Sequence, residues 1–412
     1  MKPGPLHIPI ALYDYNLPED RIAQFPLDQR DQSKILVYRN GDIREDRFFN
    51  LAAHLPKDGT LVFNETRVVH ARLKFLKSGG SQVEVFCLEP AGPTKDFQVA
   101  LQEEGTADWL CLVGNSRRWK KGELILERLI NADKLSLSAT RVEKTGDASV
   151  IRFSWSPSNL TFSQILEAVG EVPLPPYIVR QAAGIDEAHY QTVYARHEGS
   201  VAAPTAGLHF TGPLLESLKN RGLEVINFTL HVGAGTFKPV IAEKIGNHDM
   251  HPEQVFLELS KLKQLYRDLN KPLILVGTTS ARLMESLYWH GVKLIMGKVP
   301  GPYMDIRQWD PYEIGDDHGI TRKESLEKVI EVLEKSEKLG LAGETRLMIA
   351  PGYNFRYPDI LITNFHQPRS TLLLLIAAFI GDDWKKAYQF AIKNDFRFLS
   401  YGDSCVFYRN RC

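Results

Sequence analysis

Histidines and hydroxyl side chains recur in short, glycine-containing segments of this sequence. Imidazole gains and loses a proton near neutral pH, so it can act as a general base. Hydroxyl and backbone N–H groups stabilise negative charge, and arginine pairs with carboxylates or phosphates. The candidates are His209, His231, His248, His251 and His366, with Thr205, Thr236, Thr278, Thr279, Ser280, Arg67 and Arg72. Gathered at one site, such groups could move a proton beside a bound anion.

A metal site is the alternative use of some of these histidines. His248 and His251 stand three residues apart, which on a helix places both imidazoles on one face, and Glu253 and His231 could complete a set of ligands. No HExxH pattern accompanies them, and the four cysteines form no CxxC pair. We therefore expect no metal, and we expect the thiols to be reduced.

Three segments share one pattern, in which an apolar strand-like run leads into a polar or small-residue loop. The runs are Leu223–Leu230, Leu273–Val276 and Ile360–Thr363, and their loops are 231–236, 277–280 and 364–370. Helical stretches follow the second loop, over Ala281–Trp289, and the third. Strands that alternate with helices predict an α/β fold with a mainly parallel sheet and flanking helices. Ligands bind at the carboxyl ends of such strands, where these loops lie.

Residues 74–158 have a different pattern of short, partly alternating runs separated by polar residues and glycine. The runs are Gln82–Leu88, Phe97–Leu101, Glu123–Leu129, Leu135–Thr140 and Ser149–Trp155. This spacing predicts a small all-β barrel. Because it interrupts the α/β pattern, we interpret residues 1–73 and 159–412 as one discontinuous α/β domain with the barrel inserted.

Residues 297–343 also stand apart, because their first half is rich in Pro, Gly and Asp. Thr321 and Glu324 form a capping box ahead of apolar residues spaced like one face of a helix. We expect one amphipathic helix here, ending at Gly340.

The charge balance limits how the chain could meet a nucleic acid. Lys and Arg total 50 and so do Asp and Glu, so any such contact must come from a local patch. The clearest basic cluster comprises Arg117, Arg118, Lys120 and Lys121, within the predicted barrel. The longest apolar run, Leu372–Ile380, is far below the ~20 residues of a membrane span and predicts a buried helix. We expect a cytoplasmic protein.

The segment Ser200–Phe210, SVAAPTAGLHF, strongly resembles a signature of the S-adenosylmethionine:tRNA ribosyltransferase-isomerases of queuosine biosynthesis. Other segments resemble further blocks of that family, in the same order along most of the chain. They are Tyr13–Pro18, Leu61–Val68, Ala71–Leu73, Pro173–Tyr177, Tyr190–Tyr194, Leu230–Phe237, His248–His251, Val276–Ser280, Pro351–Tyr353, Thr363–His366 and Ser400–Asp403.

The resemblance implies a substrate, an acceptor and a site. Such enzymes transfer the ribosyl carbons of S-adenosylmethionine, a substrate and not a cofactor, to 7-aminomethyl-7-deazaguanine at the tRNA wobble position, giving epoxyqueuosine, adenine and methionine. The family fold is similar: an α/β domain with an inserted β-barrel. The base would be His209, His231 or His366. Substrate contacts would come from Asn64, Arg67, Arg72, Tyr177, Pro204, Thr205, Gly207, Gly233, Gly235, Thr236, His248, His251, Gly277, Thr278, Thr279, Ser280, Tyr353 and Asn364, and tRNA phosphate contacts from the basic cluster.

Two departures from the family pattern leave other functions open. Gln367 stands where the family usually has Leu, and residues 297–343 are longer than the usual link, where they could form a lid, mediate assembly or do neither. The alternatives are a diverged paralogue that uses S-adenosylmethionine on another acceptor, an RNA-binding protein without catalysis, and a metal-dependent hydrolase.

Overall fold

The computed structural model describes residues 5–77, 80–119, 122–130, 133–233, 240 and 242–410. The strands are β1 Lys34–Arg39, β2 Asp42–Arg47, β3 Gly59–Asn64, β4 Thr66–Val68, β5 Arg72–Leu76, β6 Gln82–Pro90, β7 Thr106–Gly114, β8 Leu124–Ile130, β9 Asp133–Thr145, β10 Ala148–Ser156, β11 His197–Ser200, β12 Leu223–His231, β13 Glu253–Glu258, β14 Leu273–Val276, β15 Met304–Ile306, β16 Gly340–Thr345, β17 Ile360–Asn364 and β18 Ser404–Tyr408. The helices are α1 Phe97–Leu101, α2 Phe162–Val169, α3 Gly184–His189, α4 Gly212–Asn220, α5 Leu259–Asp268, α6 Thr278–Ile295, α7 Asp310–Ile314, α8 Arg322–Lys335, α9 Thr371–Ile380 and α10 Asp383–Lys393.

A ten-stranded mixed sheet forms the larger part of the fold, in the order β15-β16-β13-β12-β3-β14-β17-β18-β1-β2. Its four central strands, β12, β3, β14 and β17, pair in parallel. Every residue of β3, β14 and β17 is buried, because helices or loops cover both faces of the sheet. The predicted α/β fold with a mainly parallel sheet is confirmed.

Six antiparallel strands form the second sheet, in the order β5-β6-β7-β10-β9-β8. Its edge strands β5 and β8 approach each other, so the sheet is nearly closed as a barrel. Alternate side chains of β6 and β10 point into an apolar core. The predicted inserted β-barrel is confirmed. Helix α2, which follows β10, shares the barrel core through Phe162, Ile165, Leu166 and Val169.

One strand prediction in the barrel is wrong. Phe97–Leu101 is the short helix α1, because the side chain of Asp96 accepts hydrogen bonds from the backbone N–H groups of Gln98 and Val99 and so caps a helical turn. The antiparallel partner of β6 and β10 is instead Thr106–Gly114, which the sequence pattern did not predict.

Residues 297–343 are built into the main sheet. The predicted amphipathic helix is α8, and the capping box of Thr321 and Glu324 is present. The predicted end at Gly340 is wrong: α8 ends at Lys335 and Gly340 begins β16, which pairs with β13. Strand β15 and helix α7 also lie in this segment, and α8 packs on α5 and α6.

Other long elements agree with the sequence pattern. The apolar run Leu372–Ile380 lies in α9, whose residues are mostly buried. In the described part of the chain, no helix is both long and apolar enough to cross a bilayer.

The close packing of α6 on α8 depends on Gly291. A Cβ there would lie 2.1 Å from Ser325 Oγ and 2.3 Å from the Ser325 carbonyl oxygen, and the backbone cannot move as easily as a side chain. We expect Gly291→Ala to lower the free energy of unfolding by about 1–3 kcal/mol in urea denaturation. Gly184→Ala, also in a helix but with nothing within 4 Å of the new Cβ, is the control and should change it by less than about 1 kcal/mol. Equal stability of the two variants would refute this account of the packing.

Candidate active site

A cleft lies at the carboxyl ends of β14 and β17. Its walls come from segments far apart in the sequence. The lining residues are Tyr177, Ala203, Pro204, Thr205, Ala206, Val232, Gly277, Thr278, Thr279, Thr363, Asn364, Phe365, His366, Gln367, Ser370, Leu372, Leu399 and Ser400. Eight of the residues predicted to form the site therefore meet in one cleft, together with the atypical Gln367.

The N-terminus of α6 forms one wall. Gly277 adopts φ 92°, a conformation that side-chain-bearing residues rarely adopt, and its N–H donates to the carbonyl of Ile362 at 2.8 Å. The N-cap residue Gly277 has no side chain that could cap this helix, and the first helical residues, Thr278 and Thr279, line the cleft. An uncapped helix N-terminus carries partial positive charge and free N–H groups, so this wall can hold an anion. The hydroxyl of Ser280 instead donates to the Val276 carbonyl at 2.7 Å.

His366 is the histidine of the predicted catalytic set that lines this cleft. Its Nε2 lies 3.0 Å from the hydroxyl of Thr363, and no hydrogen bond within the described chain engages Nδ1. Its backbone is fixed by the hydroxyls of Tyr15, which donates to the His366 carbonyl, and Tyr388, which accepts from its N–H. Burial lowers the pKa of His366 from 6.5 to about 3, so the imidazole is neutral at pH 7.

His209 lies behind the cleft wall and orients Asn364. The Asn364 amide nitrogen donates to His209 Nε2 at 3.1 Å and to the Leu399 carbonyl at 3.1 Å. The other ring nitrogen, Nδ1, then carries the proton and donates to the hydroxyl of Ser33 at 2.8 Å. Burial, with Arg397 and Arg30 nearby, lowers the pKa of His209 to about 3. The carbonyl oxygen of Asn364 is buried with no hydrogen-bond partner in the described chain, so it can accept from a ligand.

Another part of the cleft wall includes Tyr177 and Ser400, whose hydroxyls lie 2.6 Å apart. Burial raises the pKa of Tyr177, so its phenol stays protonated. The neighbouring Tyr401 donates to Asp186, which also forms a bidentate pair with Arg180, and these contacts hold the segment that carries Tyr177. Tyr177 and Phe365 supply aromatic surface to the cleft.

His231 lies where the barrel meets the α/β sheet and does not line the cleft. Its ring stacks on Phe97 of α1 at 5.7 Å, and its Nδ1 lies 3.1 Å from the hydroxyl of Thr66. A Cβ at Gly199 would lie 2.7 Å from the ring, so only glycine fits beside it. Burial lowers the pKa of His231 to about 4. The next residue, Val232, does reach the cleft.

Several predicted substrate contacts have structural partners elsewhere. The Asn64 amide exchanges hydrogen bonds with both the N–H and the carbonyl of Leu230, joining β3 to β12. Tyr353 donates to the buried carboxylate of Glu285 at 2.7 Å. Gly207 gives room to the hydroxyl of Tyr194, which a Cβ would meet at 2.0 Å.

Other predicted contacts lie near the barrel or on the surface. Arg67 is half exposed and 3.9 Å from Glu198, and Arg72 donates to the Leu174 carbonyl at 3.3 Å. Gly233 does not line the cleft. Gly235, Thr236, Lys120 and Lys121 lie outside the described residues. Arg117 and Arg118 are exposed on the barrel, whereas Trp119 beside them is buried.

His248 and His251 do not lie on a helix, so the condition under which both imidazoles would share one helix face is not met. The preceding 3-10 turn ends at Asn247, and His248 is extended, with φ −96° and ψ 127°. Its carbonyl accepts from the side chain of Gln308, which fixes this extended path. Among the described residues no group of three His, Cys, Asp or Glu side chains could hold a metal ion.

Ten of the eighteen residues that line the cleft were not among the predicted site residues, and two of these ten are Gln367 and Ser400. Ala203, Ala206, Val232, Thr363, Phe365, Ser370, Leu372 and Leu399 line it, although their types carry little chemical signal. Thr363, Phe365 and Ser370 flank predicted residues in the third strand–loop–helix segment, and that adjacency was the available signal.

Comparison with known proteins gives one family. The model of a family described as queuosine biosynthesis protein matches residues 10–407. The chain belongs to this family. An S-adenosylmethionine:tRNA ribosyltransferase-isomerase of Halothermothrix orenii is 37% identical over 403 residues, covering 96% of this chain and 98% of that protein. One of Azoarcus sp. is 37% identical over 402 residues, covering 97% of each.

A solved structure is similar over the same extent. The S-adenosylmethionine tRNA ribosyltransferase of Thermotoga maritima is 26% identical, with 96% of this chain and 99% of that chain covered and a TM-score of 0.44. In the present chain, none of the described residues that line the cleft comes from residues 297–343.

The low pKa of His366 makes stability depend on pH. Between about 3 and 6.5 the unfolded chain binds a proton at this residue that the folded chain does not, so the free energy of unfolding falls as the pH is lowered from 6.5. The contribution is about 1.4 kcal/mol per pH unit. In urea denaturation, the free energy of unfolding of His366→Gln should change less with pH than that of the unsubstituted chain. The difference should be about this amount per pH unit between about pH 6 and 4.

His7→Gln is the control for that measurement, because His7 is exposed and outside the cleft. Its pH dependence should match that of the unsubstituted chain. A His366→Gln variant with an unchanged slope would show that the imidazole is not held neutral by burial.

Proposed function

We propose that this chain transfers and isomerises the ribosyl moiety of S-adenosylmethionine onto 7-aminomethyl-7-deazaguanine at the wobble position of tRNA, giving epoxyqueuosine-tRNA and releasing adenine and methionine. The observation that carries the proposal is a neutral imidazole in a cleft that also contains an uncapped helix N-terminus, in a member of this family. The relatives named S-adenosylmethionine:tRNA ribosyltransferase-isomerases support this acceptor over that of a diverged paralogue.

The reaction must remove a proton from the ribose carbon next to the sulfonium. His366 is the proposed base: its Nδ1 is uncommitted within the described chain, and Thr363 holds the opposite ring nitrogen. Burial keeps this imidazole unprotonated at neutral pH, and a bound anion beside it would raise its pKa towards the value that a base needs. His209 acts through Asn364 and is a positioning residue.

The remaining groups bind the substrates. The N-terminus of α6, with Thr278 and Thr279, is placed to receive the methionine carboxylate or a developing ring oxyanion. The free carbonyl oxygen of Asn364 can accept from an exocyclic amine of a nucleobase. Tyr177 and Phe365 provide flat surfaces for the two bases. Since the acceptor is tRNA, we propose a cytoplasmic location.

The test is release of adenine from S-adenosylmethionine, with and without tRNA that carries the deazaguanine precursor. We expect release only with that tRNA, and we expect His366→Gln to lower kcat by roughly 100-fold or more, because a positioned base contributes at least this much. Affinity for tRNA should be retained. His7→Gln, at an exposed residue outside the cleft and outside the predicted site, should leave kcat unchanged.

Other outcomes identify the alternatives. Binding of S-adenosylmethionine without turnover on this tRNA would indicate a paralogue with another acceptor. Binding of tRNA without binding of S-adenosylmethionine would indicate an RNA-binding protein. Normal turnover by His366→Gln would show that His366 is not the base and would leave His209 and His231 as candidates.

A further inference from the structure

A second, smaller cavity adjoins the cleft. Ser400 lines both cavities, and His209, which lines the second, contacts Asn364 of the first. We call the second cavity the Arg30 pocket. Its lining residues are Pro26, Leu27, Arg30, Ser33, His189, Leu208, His209, Arg397, Ser400, Tyr401 and Gly402.

Two guanidinium groups give the Arg30 pocket an excess of positive charge. Within the described chain no carboxylate forms an ion pair with Arg30, whereas Arg397 lies 3.6 Å from the carboxylate of Asp403. That carboxylate also accepts from the backbone N–H groups of Lys34 and Arg397. The positive charges of both guanidiniums help to lower the pKa of His209, because both groups lie close to its ring. The other nearby carboxylate, Asp186, is paired with Arg180.

Arg30 is held in a fixed orientation with unused donors. Its two terminal nitrogens donate to the carbonyls of Gln191 and Ala188, each at 3.0 Å. A guanidinium has five N–H groups, so three remain for a ligand. A planar, immobilised guanidinium without a carboxylate partner matches the oxygen geometry of a phosphate group.

An exposed aromatic side chain, Phe25, directly precedes Pro26 of the Arg30 pocket in the chain. Phe25 is 56% exposed, and the guanidinium of Arg180 covers it at 4.2 Å from the ring centroid. Val179, the residue before Arg180 in the chain, is 86% exposed. Gln24 ties the two segments together, since it bonds the carbonyl of Tyr177 and the N–H of Val179. Phosphate donors next to an exposed aromatic ring are the combination that binds single-stranded RNA.

We propose that the Arg30 pocket binds a backbone phosphate of the tRNA loop whose base enters the cleft, with Phe25 as a stacking surface for a neighbouring base. This inference rests on the proposed function. The phosphate is chosen over the methionine carboxylate because the N-terminus of α6 already offers an anion site inside the cleft. The Arg30 pocket would hold the RNA strand. The base would enter the cleft past Ser400, which lines both cavities.

The test compares Arg30→Met with Arg44→Met in binding of an anticodon stem-loop at several salt concentrations. Arg44 is a suitable control because it is exposed, lies on β2 and pairs with Asp42. We expect Arg30→Met to weaken stem-loop binding roughly tenfold. The slope of log affinity against log salt should be shallower by about 0.7, the value for one single-strand phosphate contact. Affinity for S-adenosylmethionine should not change, and Arg44→Met should alter neither affinity.

Arg30→Lys separates phosphate binding from a purely structural role. Lysine keeps the positive charge but loses the paired hydrogen bonds to the carbonyls of Gln191 and Ala188. The slope of log affinity against log salt should therefore remain that of the unsubstituted chain. A loss of affinity in both variants with no change of slope would show that Arg30 only orders residues 188–191, and would overturn the proposal. Inorganic phosphate should compete with the stem-loop less strongly in Arg30→Met than in the unsubstituted chain.

Two further results would also overturn the inference. If Arg30→Met binds the stem-loop normally while the unsubstituted chain releases adenine, the Arg30 pocket is wrong and the proposed function stands. If Arg30→Met weakens binding of S-adenosylmethionine instead, the pocket holds the methionine carboxylate. An unsubstituted chain that binds no stem-loop would refute the proposed function and the Arg30 pocket together.

Discussion

The cleft depends on the parallel pairing of β14 with β17 and on the turn that follows β14. This pairing brings Val276 and Ile362 side by side, and the N–H of Gly277 then bonds the Ile362 carbonyl. With φ 92°, Gly277 starts α6 directly at the strand end, so the helix N-terminus and the loop after β17 line the same cleft. A residue with a Cβ at 277 would strain this turn and displace the anion-binding wall from His366.

Burial determines the chemistry of the histidines in this fold. His209, His231 and His366 are all held neutral, but only His366 lines the cleft. Their contacts differ. His209 is hydrogen-bonded to both Ser33 and Asn364, and the ring of His231 at the end of β12 stacks on Phe97 of α1. The same chemical group thus serves as a proposed base, as a support for the site, and as a contact between the two sheets.

Local patterns predicted the strand–loop–helix units, because hydrophobic periodicity and caps such as that of Thr321 are encoded within a few neighbouring residues. The mistaken strand at Phe97–Leu101 shows the limit of periodicity, since one cap from Asp96 turned an alternating run into a helix. Which histidine reaches the cleft could not be predicted. That placement depends on contacts such as Ser33 with His209, which are 176 positions apart and are set by the order of strands in the sheet.

The most direct test of the central claim is a crystal structure of the chain with S-adenosylmethionine bound. The account predicts the ligand between the start of α6 and residues 364–367, with Nδ1 of His366 within hydrogen-bonding distance of the ribose and an anionic group at the backbone of Thr278 and Thr279. A ligand bound on the barrel, or one that contacts neither of these two loops, would contradict it.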